Sequence, residues 1–254
     1  MSTGKLQGKV VIITGGGSGF GQGIVTKFIQ EGAKVVLVDI NEENGANVAK
    51  AQPAGSAVFV QGDVSCEADW VKTRDATLSQ FGRIDVVVNN AGIVNRATSS
   101  LELLEEDVDR LYKVNVKSLY FSAKVIAPVL KEQGGGSFVN ISSISALRPR
   151  PKLVWYAASK GAASAATKGL ASELAKDNIR CNTVCPVAGE TAMVPLFLGK
   201  PDTPENRKEF VAGIPLGRFA TAIDIANAAS FLASEEAAFI TGIELPVDGG
   251  RALN

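Results

Sequence analysis

Lys9-Val-Val-Ile-Ile-Thr14, followed at once by Gly15-Gly16-Gly17-Ser18-Gly19-Phe20-Gly21, is the stretch on which the fold turns. The first half is a short β-branched run and reads as a buried strand. The second half is nearly bare backbone, and Gln22 to Gly32 after it reads as a helix. Strand, glycine loop and helix in that order can bind phosphate. The missing side chains let a pyrophosphate approach, and the helix N-terminus supplies N–H groups and positive dipole. The spacing is Gly15-x-x-x-Gly19-x-Gly21, wider than a loop with glycines at the first, third and sixth places.

Outward from this unit, strands and helices alternate. Lys34 to Asp39, Ser56 to Gln61, Asp85 to Val88, Gly136 to Ile141, Ile179 to Val184 and Gly242 to Val247 read as further strands. Ser65 to Phe81, with Ser65 as N-cap, Leu101 to Lys131, the stretch through Gly161 to Lys176, and Ala222 to Ala233 read as helices. Glu190 to Gly213 is irregular but carries apolar Met193, Val194, Leu196, Phe197 and Leu198. This alternation predicts an α/β fold, a doubly wound parallel sheet of about seven strands with helices on both faces. No linker, repeat or charge block divides residues 1–254, so one domain is expected.

The totals exclude several classes of function. Acidic and basic residues balance at 26 each, so no long-range field favours nucleic acid or an anionic membrane. No apolar run reaches 18 residues, and the polar start, Met1 to Gly8, is unlike a signal peptide. Three cysteines argue against a disulfide framework and fit a reducing, cytoplasmic location. Cys181 and Cys185 face one side of a strand and read as buried thiols. Histidine is absent, which removes Ser-His-Asp and Cys-His nucleophile systems and most zinc sites. No metal is expected, and any proton transfer needs another residue.

Tyr156 and Lys160 supply a candidate. Four residues apart on a helix, they share a face. A cation about 4 Å away stabilises a phenolate by roughly 4 kcal/mol at an effective dielectric near 20. That is about three pKa units, enough to bring a phenol toward working pH. Asp39 ends the second strand, where a carboxylate can hold both ribose hydroxyls of an adenosine and repel a 2′-phosphate. No Arg or Lys lies between Gly15 and Gln22 or between Ile40 and Val48 to offset that repulsion. Asn115 falls inside a helical stretch, a place asparagine disfavours. The loop Arg148-Pro149-Arg150-Pro151-Lys152 reads as solvated surface, with an anionic substrate as the other use for its charge.

With these residues read, the sequence resembles the short-chain dehydrogenase/reductase family over nearly its whole length. The resemblance is carried by Thr14-Gly15-x-x-x-Gly19-x-Gly21, Asp63, Asn89-Asn90-Ala91-Gly92, Asn115, Ser143 (13 residues before Tyr156), Tyr156 and Lys160. It implies a Rossmann-like sheet and a catalytic tetrad of Asn115, Ser143, Tyr156 and Lys160. Tyr156 would exchange the proton and Ser143 would hold the reacting oxygen. Lys160 would lower the Tyr156 pKa and hold the nicotinamide ribose, and Asn115 would anchor a relay water. It also implies NAD contacts from Gly15, Ser18, Gly19, Phe20, Gly21, Asp39, Ile40, Asp63, Val64, Asn90, Ala91, Gly92, Tyr156, Lys160, Pro186, Val187 and Thr191. Asn89 to Gly92 would line the cofactor cleft.

One departure stands out: Pro186-Val187 replaces the family's usual Pro-Gly, and a glycine follows at Gly189. Valine resists positive φ, so an extended path at Val187 is expected, with any tight turn moved to Gly189. The expected activity is hydride transfer between NAD(H) and a secondary alcohol or ketone of partly hydrophobic character. An NADPH-dependent ketoacyl reductase and a non-catalytic cofactor sensor are the rivals. The small residues Ala157, Ala158, Gly161, Ala162, Ala163, Ser164, Ala165 and Ala166 let a partner helix approach, and the resemblance implies a homotetramer.

Overall fold

A computed structural model of the chain describes residues 4–253. The start of the polar stretch Met1 to Gly8, as far as Thr3, and Asn254 lie outside the described residues. Seven strands form one sheet: β1 (Val10–Thr14), β2 (Lys34–Asp39), β3 (Ala57–Gln61), β4 (Val86–Asn89), β5 (Gly136–Ile141), β6 (Ile179–Pro186) and β7 (Glu244–Val247). Their order is β3-β2-β1-β4-β5-β6-β7, and every pairing is parallel. The chain starts mid-sheet, builds outward to β3, then returns past β1 to build the other half. Ile12 thus has Val36 on one side and Val87 on the other. The reversal between β1 and β4 opens a crevice at the carboxyl ends of the strands, where open α/β sheets take their ligands.

Ten helices cover the sheet among the described residues: α1 (Gly19–Gln30), α2 (Glu42–Lys50), α3 (Glu67–Phe81), α4 (Glu105–Tyr112), α5 (Ser118–Glu132), α6 (Ile144–Leu147), α7 (Val154–Leu174), α8 (Val194–Leu198), α9 (Pro204–Val211) and α10 (Ala222–Ala233). Successive side chains of a strand enter opposite layers. Val11 and Ile13 of β1 join a core with Ile24 and Phe28 of α1 and Ile225 and Ala229 of α10. Ile12 joins a second core with Trp70 of α3 and Phe121 and Val125 of α5. Burial on both faces is why these strands are continuous β-branched runs rather than alternating ones. Helices α1 and α10 lie along one another more extensively than any other helix pair. A Cβ on Gly23 would stand 2.4 Å from that of Ala222, so the glycine sets their closeness.

The structure corrects several local readings. Helix α1 begins at Gly19, not Gln22, so the last glycines form its first turn. The N-cap of α3 is Cys66, not Ser65, whose N–H donates to the Asp63 carboxylate at 2.8 Å. The long helix expected from Leu101 to Lys131 begins only at Glu105, and a π turn at Lys113–Lys117 separates α4 from α5. The irregular segment contains α8 and α9, and α2 appears where no helix is expected.

Candidate active site

One cavity of about 620 Å³ opens over the crevice between β1 and β4. The expected cofactor residues and the expected catalytic residues line it together, Asn89 and Asn115 excepted. Its floor is made by glycines whose absent side chains are sterically required. A Cβ on Gly21 would lie 1.9 Å from the Gly15 carbonyl oxygen. Gly15 itself has φ +64° and packs against Ala91. The Thr14 hydroxyl accepts the N–H groups of Asn90 and Ala91 at 3.1 Å, and the Asn90 amide donates to the carbonyls of Thr14 and Gly15. The glycine loop and the end of β4 are therefore one rigid cradle, which fits a dinucleotide pyrophosphate at the N-terminus of α1.

The Asp39 carboxylate accepts the N–H of Gly17 at 2.8 Å and of Asn41 at 2.9 Å. It is fixed at the cavity edge before any ligand arrives. Ile40, Asp63 and Val64 complete that end. The Val64 carbonyl takes the Trp70 indole N–H at 2.9 Å, which holds the segment in place. Asn89 does not line the cavity. Strand alternation turns it inward, where its amide donates to Asn140 at 2.8 Å.

At the other end stand Ser143, Tyr156 and Lys160, all buried. Ser143 follows β5 and caps α6, accepting the Ser145 N–H at 3.1 Å. Tyr156 and Lys160 lie one turn apart on α7. The Lys160 ammonium donates to the Ile141 carbonyl at 3.0 Å, and a Cβ on Gly92 would press on it at 3.0 Å. Asn115 sits behind this group in the π turn. Its side chain accepts the Ile93 N–H at 2.9 Å and donates to the Ile93 carbonyl at 2.9 Å and the Ser159 hydroxyl at 3.0 Å. The extra residue of the π turn directs Asn115 inward, where asparagine fastens the β4 loop to α7.

Burial dominates the protonation of the pair. It pushes Tyr156 up to about 12, against the nearby Ser143 hydroxyl and the Arg150 charge, while Cys185 adds to the rise. It pushes Lys160 down to about 8, against Cys185. The expectation that Lys160 alone brings Tyr156 toward working pH is therefore not met in the protein by itself. The ammonium is turned to Ile141, and desolvation outweighs proximity.

At the end of β6, Pro186 and then Val187 line the cavity, and Val187 has no positive φ, as its branched Cβ requires. The expected compensating turn at Gly189 is absent, for Gly189 has no positive φ either. Gly189 is needed for room instead. A Cβ there would stand 2.2 Å from the Phe20 ring. Thr191 closes over Gly19, its methyl 3.1 Å from where a Cβ of Gly19 would be. Sequence reasoning missed Phe197 as a wall residue, whose ring meets Tyr156 edge-on at 5.7 Å between centroids. Only its place in an apolar irregular segment hinted at this. Cys185 is likewise close to the reacting group, beside Ser143.

Comparison with known proteins agrees with this geometry. A family model described as enoyl-(acyl carrier protein) reductase matches residues 15–252. The 4-formylbenzenesulfonate dehydrogenase of Comamonas testosteroni is 46% identical, over 98% of this chain and 100% of that protein. The 2,5-dichloro-2,5-cyclohexadiene-1,4-diol dehydrogenase of Sphingobium indicum is 38% identical, over 98% of each. The crystal structure of a 3-ketoacyl-(acyl-carrier-protein) reductase from Brucella melitensis, complexed with NADH, superposes with a TM-score of 0.92. It is 42% identical and is matched over 97% of this chain and 99% of that one. The chain belongs to the short-chain dehydrogenase/reductase family, whose members bind a nicotinamide cofactor. It is an oxidoreductase of CH–OH groups.

Proposed function

We propose that this protein transfers hydride between NAD(H) and a ring-bearing secondary alcohol or the corresponding ketone, with Tyr156 as the proton-exchanging group. One observation carries the reading: a single cavity holds the Asp39 carboxylate at one end and Ser143, Tyr156 and Lys160 at the other. When bound, NAD supplies the hydride acceptor, or NADH the donor. Ser143 holds the substrate oxygen beside the Tyr156 hydroxyl. The Ser143 hydroxyl and the Arg150 charge favour phenolate there, against the burial that opposes it. The Asn115 side chain spends its hydrogen bonds on Ile93 and Ser159. A relay water would therefore be held by the main chain of the π turn. Aromatic Phe197 and aliphatic Val187 and Met193 favour an apolar ring, and the two relatives' names each contain one.

The Asp39 end favours NAD(H). The ketoacyl reductase with NADH shows that such a cofactor is compatible with ketoacyl chemistry, so an acyl thioester ketone belongs in the assay. The test is absorbance of reduced nicotinamide with cyclic and benzylic alcohols, their ketones and a 3-ketoacyl thioester, using both cofactors. Tyr156→Phe is expected to reduce turnover at least about 100-fold while NADH affinity stays near wild type. Retention of more than about a tenth of the activity would remove Tyr156 from the proton transfer.

A further inference from the structure

The loop between α6 and α7 carries Arg148, Arg150 and Lys152. The N–H of Leu153 points back to the Arg150 carbonyl at 3.4 Å, closing a turn with Pro151 and Lys152 at its centre. Lys152 has φ +70°, a conformation that suits glycine and is unfavourable for lysine. Such a conformation persists where the surroundings fix it. Its effect is to leave Lys152 outside and turn Arg150 in.

Arg150 is half-buried, and its guanidinium donates to the carbonyl of Phe197, the residue whose ring lines the cavity against Tyr156. The same guanidinium lies 5.4 Å from the centre of the Phe210 ring. Five arginines of the chain pair with an aspartate: Arg74, Arg83, Arg110, Arg207 and Arg218. Among the described residues Arg150 has no carboxylate within ion-pair distance, and the charge that acts on it most is that of another arginine, Arg251. Arg148 joins them by donating to the Arg251 carbonyl at 2.9 Å. Partly desolvated cations gathered without an anion are unfavourable unless an anion completes the group.

We infer that Arg150, which stands behind Phe197 at the cavity wall and is not itself part of the lining, determines specificity from there, and that the substrate carries a carboxylate or sulfonate that reaches it. This rests on the alcohol–ketone reading proposed above. One guanidinium hydrogen bond and one ring face are already used, so Arg150 is positioned, while its remaining N–H groups suit a planar or tetrahedral oxyanion. The proximity that lets its charge act on Tyr156 puts the anion on the substrate that Tyr156 serves.

Matched pairs test this: 4-(1-hydroxyethyl)benzoate against 1-(4-methylphenyl)ethanol, and 3-hydroxycyclohexanecarboxylate against cyclohexanol. Wild-type kcat/KM is expected to favour the anion of at least one pair by about 30-fold or more. Arg150→Gln should remove that preference by lowering kcat/KM for the anion at least about 10-fold more than for its neutral partner, and Arg150→Lys should keep part of it. A loss shared equally by both members of each pair would make Arg150 only a latch for the Phe197–Phe210 segment and overturn the inference, as would a wild type without preference. Calorimetric binding of 4-ethylbenzoate to the enzyme with NADH gives a readout that needs no turnover. Binding that Arg150→Gln weakens at least about 10-fold supports the site, and binding unchanged by that substitution, or absent from wild type, overturns it. Should no alcohol or ketone react while this binding difference stands, the proposed reaction fails and the anion site survives.

Discussion

A single carboxylate and a single ammonium set the two ends of the cavity, and each makes a measurable demand. Asp39 is held by the N–H groups of Gly17 and Asn41, so Asp39→Ser removes a charge and also loosens the glycine loop. The ratio of kcat/KM for NAD to that for NADP should fall by about 10- to 100-fold, chiefly through weaker NAD binding. An unchanged ratio would mean that Asp39 does not read the ribose. Lys160 imposes a cost on folding. Below pH 8 its ammonium is protonated in the folded and the unfolded chain alike, and the folded state bears the cost of burying it. Between its folded value of about 8 and the ordinary 10.5, the folded lysine releases its proton while the unfolded one keeps it. Stability from this group therefore rises with pH across that window. Tyr156 acts oppositely from 10 to about 12, where the unfolded phenol ionises first. Lys160→Met should raise stability at pH 7 by roughly 2 kcal/mol, allowing for the donor lost to Ile141. Urea midpoints should show that gain shrinking toward pH 10.

Among the elements, the contact of the α1 glycine loop with the segment after β6 is the one in which two departures from ordinary choice explain each other. Phe20 is large and Gly189 leaves it room. Gly189→Ala should weaken NADH binding about 10-fold by fluorescence titration, and adding Phe20→Leu should restore most of it, a coupling of about 1–2 kcal/mol. Full restoration is not expected, because the Ala220 carbonyl also stands 3.0 Å from the new Cβ. Additive effects would show the two residues to be independent. The same contact shows where sequence reading stops. Buried parallel strands are legible because burial on both faces demands β-branched runs, and β2 and β5 match their expected limits residue for residue. The residues around the cavity were legible because sterics or hydrogen bonding fix their types. Helix α2 was hidden because Gly45 looks like a breaker, whereas it admits the Phe59 ring, 2.1 Å from where a Cβ would be. The π turn was hidden because one extra residue barely alters an apolar period, and α8 and α9 because both are short and begin with proline in their first turn.

For the whole molecule, the outer stripe of α7 at Gly161, Ala165 and Gly169 has no neighbour among the described residues. Ala165 is exposed, and a Cβ on Gly161 or Gly169 would meet nothing within 4 Å. A second copy of the helix is the expected neighbour, and with the tetramer that the family resemblance implies, light scattering at micromolar concentration should give four chain masses. Ala165→Arg should lower that mass, and a monomeric wild type would refute the pairing. The fit of α1 against α10, made by Gly23 and Ala222, has a consequence for synthesis. The glycine loop leaves a ribosome long before the helix that backs it, Ala222–Ala233. At about 5–20 residues per second, the interval between the two is roughly 10–40 s. Through that time the nascent dinucleotide cradle has its strand but lacks its buttress, and a growing chain completes its cofactor site only once α10 has emerged.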